Sequence, residues 1–90
     1  MELKMREKIL HIFNMALSIN GVNGINVWAE FSGHTSGIEV YTYENGWSIG
    51  ESPDYSKHAY LDHEDASMKL DNMIEYLEQL AKRNGINVAL

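Results

Sequence analysis

Apolar side chains near the start of the chain fall at Leu3, Ile9, Leu10, Ile12, Phe13, Ala16, Leu17 and Ile19. The pairs Ile9–Phe13, Phe13–Leu17 and Ile12–Ala16 are four apart. They stack on neighbouring turns, which predicts a helix over 3–19. Charges crowd its first two turns (Glu2, Lys4, Arg6, Glu7, Lys8), so the uncharged second half is expected to be buried on more than one side. Asn20-Gly21 supplies the stop, because glycine accepts the left-handed geometry of a C-terminal cap.

The pattern then switches to strict alternation. In 26–31, Val27, Ala29 and Phe31 point one way, and Trp28 and Glu30 the other. In 37–43, Ile38, Val40 and Thr42 share one face, and Glu39, Tyr41 and Tyr43 the opposite one. Both runs read as strands. A turn through Ser32-Gly33-His34-Thr35-Ser36-Gly37 that sets Phe31 opposite Ile38 also pairs Ala29 with Val40 and Val27 with Thr42, so one face is apolar throughout. Asn45-Gly46 is a strong hairpin signal. It predicts a third strand in which Trp47 faces Glu44 and Ile49 faces Thr42, adding Trp47 and Ile49 to the core.

Ser52-Pro53-Asp54 reads as a turn, and residues 57–61 as a short fourth strand or a loop. The last helix has the cleanest stripe: Ala66, Leu70, Met73, Ile74, Leu77, Leu80 and Ala81. Asp62 suits its N-cap, Asp65 and Glu64 suit the positive end of its dipole, and Gly85 suits its C-terminal cap. Asn-Gly-Ile-Asn-Val occurs twice, at 23–27 and 84–88, each time as a helix stop followed by a strand start. The second copy makes 86–90 a candidate edge strand. These elements compose one α+β domain over 1–90: a three-stranded antiparallel meander, with that edge strand as an optional fourth, and N- and C-terminal helices on one face, in the order α-β-β-β-α.

Composition narrows the function more than it names one. Seven Lys and Arg against thirteen Asp and Glu leave a net charge of −6, and cysteine is absent, which removes disulfides, thiolate zinc sites and cysteine nucleophiles. The charged N-terminal segment does not read as a signal peptide, and no apolar run reaches membrane-spanning length, so a cytoplasmic protein is expected. A nucleic-acid surface needs a basic groove; five of the seven basic residues lie instead near the two chain ends, so no direct nucleic-acid partner is expected.

The inferred register places Trp28 opposite Tyr41 with Tyr43 beside them, and Glu30 opposite Glu39, all on the face away from the apolar one. Grouped aromatics and charges on an uncovered face mark an interaction surface. Two plainer readings are that cross-strand aromatic pairs only stabilise the sheet, and that the helices cover opposite faces. Opposed glutamates call for a cation between them, so a Lys- or Arg-bearing partner fits better than a metal or an acid–base pair. His58, Asp62, His63 and Asp65 form the one weak metal constellation, of zinc or manganese type, but capping already explains Asp62 and Asp65. His11 and His34 read as structural. The glycines of 33–37 bracket neither the serine of a nucleophile elbow nor the lysine of a phosphate loop.

By its brevity, lack of cysteine, Asn45-Gly46 turn and long C-terminal amphipathic helix, the chain resembles the small acidic α-β-β-β-α proteins that phages and prophages encode in their accessory regions. That resemblance implies a binding role that modulates a host or viral protein, and carries over no individual residue. The expectation is a small non-enzymatic interaction module without cofactor. It would bind a basic protein, itself as a homodimer, or both, through Trp28, Glu30, Glu39, Tyr41 and Tyr43, with Met68 and Tyr76 as outward candidates on the last helix. The alternatives are a nucleotide or metabolite binder, and a metal-dependent enzyme built on His58, Asp62, His63 and Asp65.

Overall fold

The computed structural model describes residues 3–88. Helix α1 (Leu3–Ile19) leads through a short 3-10 turn (Val22–Gly24) to β1 (Asn26–Ser32), β2 (Gly37–Tyr43), β3 (Tyr55–Tyr60) and α2 (Ala66–Arg83). The sheet is antiparallel in the order β1-β2-β3. Both helices lie on one face of it, α1 under β1 and α2 under β3, so the expected α-β-β-β-α architecture is the one observed. The result is a two-layer slab, 18 Å through its thinnest dimension.

The β1–β2 register is the expected one, with Phe31 opposite Ile38, Ala29 opposite Val40 and Val27 opposite Thr42. Ile38, Val40 and Thr42 are buried against Ile12, Met15 and Ile19 of α1 and Leu70, Met73, Leu77 and Leu80 of α2. Helix α2 buries the predicted stripe except for Ile74, which is half-buried at its margin, and ends in a full Schellman cap. The Gly85 amide donates to the Lys82 carbonyl at 3.2 Å and the Ile86 amide to Ala81 at 2.9 Å, with Gly85 at φ 67°.

Five expectations are corrected, the last of them at Tyr76. The third strand is 55–60, not 47–49. A tight turn does form here, but one position early. The Gly46 amide, at φ +88°, donates to the Tyr43 carbonyl, so Glu44-Asn45 is the central pair. Asn45 does not take the positive φ of an Asn-Gly hairpin loop, and the chain does not fold back along β2. The Asn26 side chain accepts the Trp47 amide at 2.8 Å and draws the loop across the start of β1. A Cβ on Gly46 would sit 3.2 Å from the Gly24 carbonyl oxygen, so glycine is needed for both space and backbone angle. Asp54 then closes the loop, its carboxylate accepting the Glu44 amide at 2.7 Å. Trp47-Ser48-Ile49 offers three residues of alternation before Gly50. By contrast, β3 pairs six residues with β2 and buries Ala59. The longer ladder takes the edge, and Trp47 and Ile49 remain exposed.

Second, α1 is buried on one side only, through Ile9, Ile12, Met15, Ala16 and Ile19, while Leu10 and Leu17 are exposed. A two-layer fold has nothing to place over the outer side of this helix. Third, α2 starts at Ala66 after Asp65, so Asp62 lies in the preceding turn and is not its N-cap. Fourth, residues 86–88 form no strand, and the remainder of that candidate edge strand, 89–90, lies outside the described residues. The two Asn-Gly-Ile-Asn-Val copies meet instead, the Asn23 amide donating to the Asn84 side-chain oxygen at 3.0 Å.

Tyr76, expected to point outward, points in. Its ring stacks on Tyr55 with centroids 3.7 Å apart. Its hydroxyl donates to Glu44 at 2.8 Å and lies 2.6 Å from Thr42 Oγ1, and Arg83 reaches the same carboxylate at 3.3 Å. This network ties α2 to β2 and satisfies the buried Thr42 hydroxyl, which would otherwise cost about 1–3 kcal/mol. Burial first, and then the Glu44 carboxylate, push the Tyr76 phenol far up from its ordinary value, offset only in part by the Thr42 bond. Burial also raises Tyr55.

A folded-state phenol pKa raised above its unfolded value stabilises the fold fully below about pH 10 and loses that contribution as the pH climbs beyond it. Unfolding free energy, measured with denaturant on either side of that pH, should therefore fall on the alkaline side. Tyr76→Phe should make that fall shallower and remove about 1 kcal/mol at neutral pH. At the rejected strand, Ile49→Ser should change stability by less than about 0.5 kcal/mol, whereas Leu77→Ala should cost about 2–5 kcal/mol. A large Ile49→Ser effect in the same assay would restore the 47–49 strand.

Candidate functional site: the uncovered face of the sheet

With both helices on one side, the other face of the sheet has no layer over it, and the reading in which the helices cover opposite faces is excluded. Alternation along the three strands decides what that face shows. It carries Trp28 and Glu30 from β1, Glu39, Tyr41 and Tyr43 from β2, and Ser56, His58 and Tyr60 from β3.

The face divides into an aromatic end and an acidic end. Trp28 and Tyr41, directly opposite in the ladder, lie nearly parallel with centroids 5.2 Å apart and planes 9° apart. Tyr43 meets both edge-on, at 5.5 Å from Trp28 and 6.3 Å from Tyr41. Tyr43 is buried, and Trp28 and Tyr41 are half-buried. Tyr43 thus serves as the footing of the cluster, and the other two rings are what a partner would meet. Next along the strands, Glu30 and Glu39 face each other, both exposed, with His58 opposite Glu39 on the far side. Desolvation, followed by the negative charges of Glu30 and Glu39 and the neighbouring Tyr43, pushes the Tyr41 phenol up from its ordinary value. The two carboxylates therefore act on the aromatic end as well as on each other.

Beyond the glutamates the surface dips into a shallow depression of about 310 Å³ over Gly37, flanked by Glu30, Glu39, His58 and Tyr60. Tyr60 packs edge-on to His58 at 5.2 Å and lies 5.1 Å from His63. His58 and Tyr60 belong to the same face as the predicted residues. Placing the third strand at 47–49 hid them, and the only signal for them was the alternation of Tyr55, Lys57 and Ala59 against Ser56, His58 and Tyr60.

The metal constellation does not assemble. His63 Nε2 lies 3.9 Å from Asp62 Oδ1, but Asp65 is paired with Lys69 at 3.4 Å, and His58 sits on the sheet. Among the described residues no three His, Asp or Glu side chains come together to hold a metal ion. His34 is exposed in the β1–β2 turn, and His11 lies on the α1–α2 seam, 3.7 Å from Glu78. Met68 is exposed on α2 as expected. Among the described residues no helix is long and apolar enough to cross a membrane. Compared with protein-family models, curated proteins and solved structures, the chain matches none.

Like charges directly opposite on a sheet are unfavourable by about 0.2–1 kcal/mol. Glu39→Gln should accordingly raise the unfolding free energy by that amount, with the gain shrinking as salt screens the wild-type repulsion. No gain at low ionic strength would mean that the two carboxylates do not oppose each other as described.

Proposed function

We propose that this protein is a small non-enzymatic interaction module that holds a basic, arginine-bearing segment of a protein partner against its uncovered sheet face. The observation that supports this reading most is the juxtaposition of the Trp28–Tyr41 stack with the Glu30/Glu39 pair. Opposed carboxylates stabilise a cation placed between them, and an exposed ring face attracts the same cation. A guanidinium satisfies both, since it stacks on a ring and bridges carboxylate oxygens with its planar fork, which an ammonium does less well. The half-buried rings supply desolvated area, and the glutamates select the sign of the partner's charge. The net charge of −6 favours encounter with a basic surface. A modulating role of this kind agrees with the resemblance to phage and prophage accessory proteins. The same face suits a second copy of the chain poorly, because self-pairing would bring two glutamate pairs together.

The test is amide chemical-shift mapping with an arginine-rich peptide as probe, alongside a lysine-rich peptide of equal charge. The expected shifts centre on Trp28, Glu30, Glu39 and Tyr41, and the arginine peptide binds more tightly. Glu30→Lys with Glu39→Lys keeps the rings and should abolish binding. Trp28→Ala with Tyr41→Ala should weaken it at least about tenfold while leaving the helical circular dichroism intact. Shifts spread over the acidic residues of α2, or undiminished binding by the charge-reversed variant, would sink the reading.

A further inference from the structure

Helix α1 has a second pattern, on the side turned away from the core. Leu3, Leu10 and Leu17 are 68%, 58% and 80% exposed. They stand seven residues apart, so they form one ridge about 21 Å long on a straight helix. The ridge is flanked by two grooves. One, of about 590 Å³, runs towards α2 between Leu10, Lys8, His11 and Ile74. The other, of about 340 Å³ and almost wholly apolar, lies between Leu10, Ile9, Arg6 and Phe31, whose ring is itself 50% exposed. Leucines at heptad spacing beside grooves of this kind are the geometry that a second helix with the same ridge fills.

The charges of α1 say which way that helix runs. Lys4, Arg6, Glu7 and Lys8 occupy its first two turns, and 9–19 contains no Asp, Glu, Lys or Arg. No acidic residue occupies the first turn and no basic residue the last, so the helix leaves its own dipole uncompensated. Lys8 is paired with Asp71 at 2.9 Å, but Lys4 and Arg6 have no ion-pair partner among the described residues. A parallel copy would set these cations against themselves. An antiparallel copy sets them beside the other helix's uncharged, partially negative C-terminal turns.

We infer that two copies of this chain pair through α1, antiparallel about a two-fold axis at Leu10, with Leu10 against its counterpart and Leu3 against Leu17 of the other copy. Such an isologous contact uses one self-complementary surface twice. The three leucines and Phe31 withdraw on the order of 500 Å² per copy, or about 1,000 Å² for the pair, which is the lower bound of a specific interface. In an acidic chain, α1 itself carries three cations, Lys4, Arg6 and Lys8, against one anion, Glu7, which limits the repulsion between two copies that approach through it. The pairing surface lies on the layer opposite the Trp28/Glu30/Glu39/Tyr41 face. The inference therefore does not rest on what that face binds, and it leaves two such faces pointing outward, as a bivalent binder requires.

Light scattering after size exclusion, from low micromolar to millimolar concentration, should show the mass rising from one chain to two. Leu10→Glu and Leu17→Glu, both at exposed positions, should weaken the pairing at least about hundredfold with unchanged helical circular dichroism. Trp28→Ala with Tyr41→Ala should leave it unchanged. Because the chain contains no cysteine, Leu10→Cys should oxidise to a linked dimer. A mixture of Leu3→Cys and Leu17→Cys chains should link to each other, and Met68→Cys should not link at all. A monomer at every concentration, a dimer that survives Leu10→Glu, a dimer lost with the aromatic pair, or linkage of Leu3→Cys to itself would each overturn the inference.

Discussion

Burial of a single face of β2 beneath two helices is the constraint on which the rest of the molecule depends. Ile38, Val40 and Thr42 are the centre of the apolar layer, which α1, α2, Ala59 of β3 and Ile25 before β1 complete, with Val27 and Ala29 of β1 partly buried at its margin. Thr42 is the polar member of that row, and its hydroxyl is admitted only because Tyr76 meets it. The Tyr76–Glu44–Arg83 chain then fixes where α2 lies along the sheet. Packing and polar satisfaction thus act at the same point, which couples helix placement to strand register.

A two-layer slab of this kind settles its interior at the expense of its two outer surfaces. The uncovered sheet face and the outer side of α1 both carry large side chains that the fold does not use. The two surfaces differ in kind. The sheet face combines stacked rings with opposed carboxylates, a combination that asks for a cation. The helix face combines a leucine ridge with grooves and two cations that have no ion-pair partner among the described residues, the combination on which the proposed pairing with a second copy rests. Their positions on opposite layers let both be occupied at once.

Much of the site was legible in the sequence because it rests on alternation and on one turn. Once Phe31 is set opposite Ile38, the positions of Trp28, Glu30, Glu39 and Tyr41 follow, since a strand's side chains have no freedom to change face. His58 and Tyr60 were not legible in the same way. Two segments, 47–49 and 55–60, compete for one edge of β2. The local hairpin signal at Asn45-Gly46 favours the nearer, and the longer ladder and the burial of Ala59 favour the farther. A turn can form without choosing the strand that follows it.

Sequence by itself determined the two helices, the first two strands and their register, the apolar stripe of α2 and the stop at Gly85, because each is fixed by period or by backbone angle within a few residues. The tertiary structure alone decided which segment became β3, that Leu10 and Leu17 face outward, and that Tyr76 turns inward to Thr42 and Glu44. Those outcomes depend on how many layers the chain can build and on which polar groups meet across it. Neither is a property of any local stretch: hydrophobic periodicity marks the face of a helix that can be buried, and only the number of layers available says how much of it is.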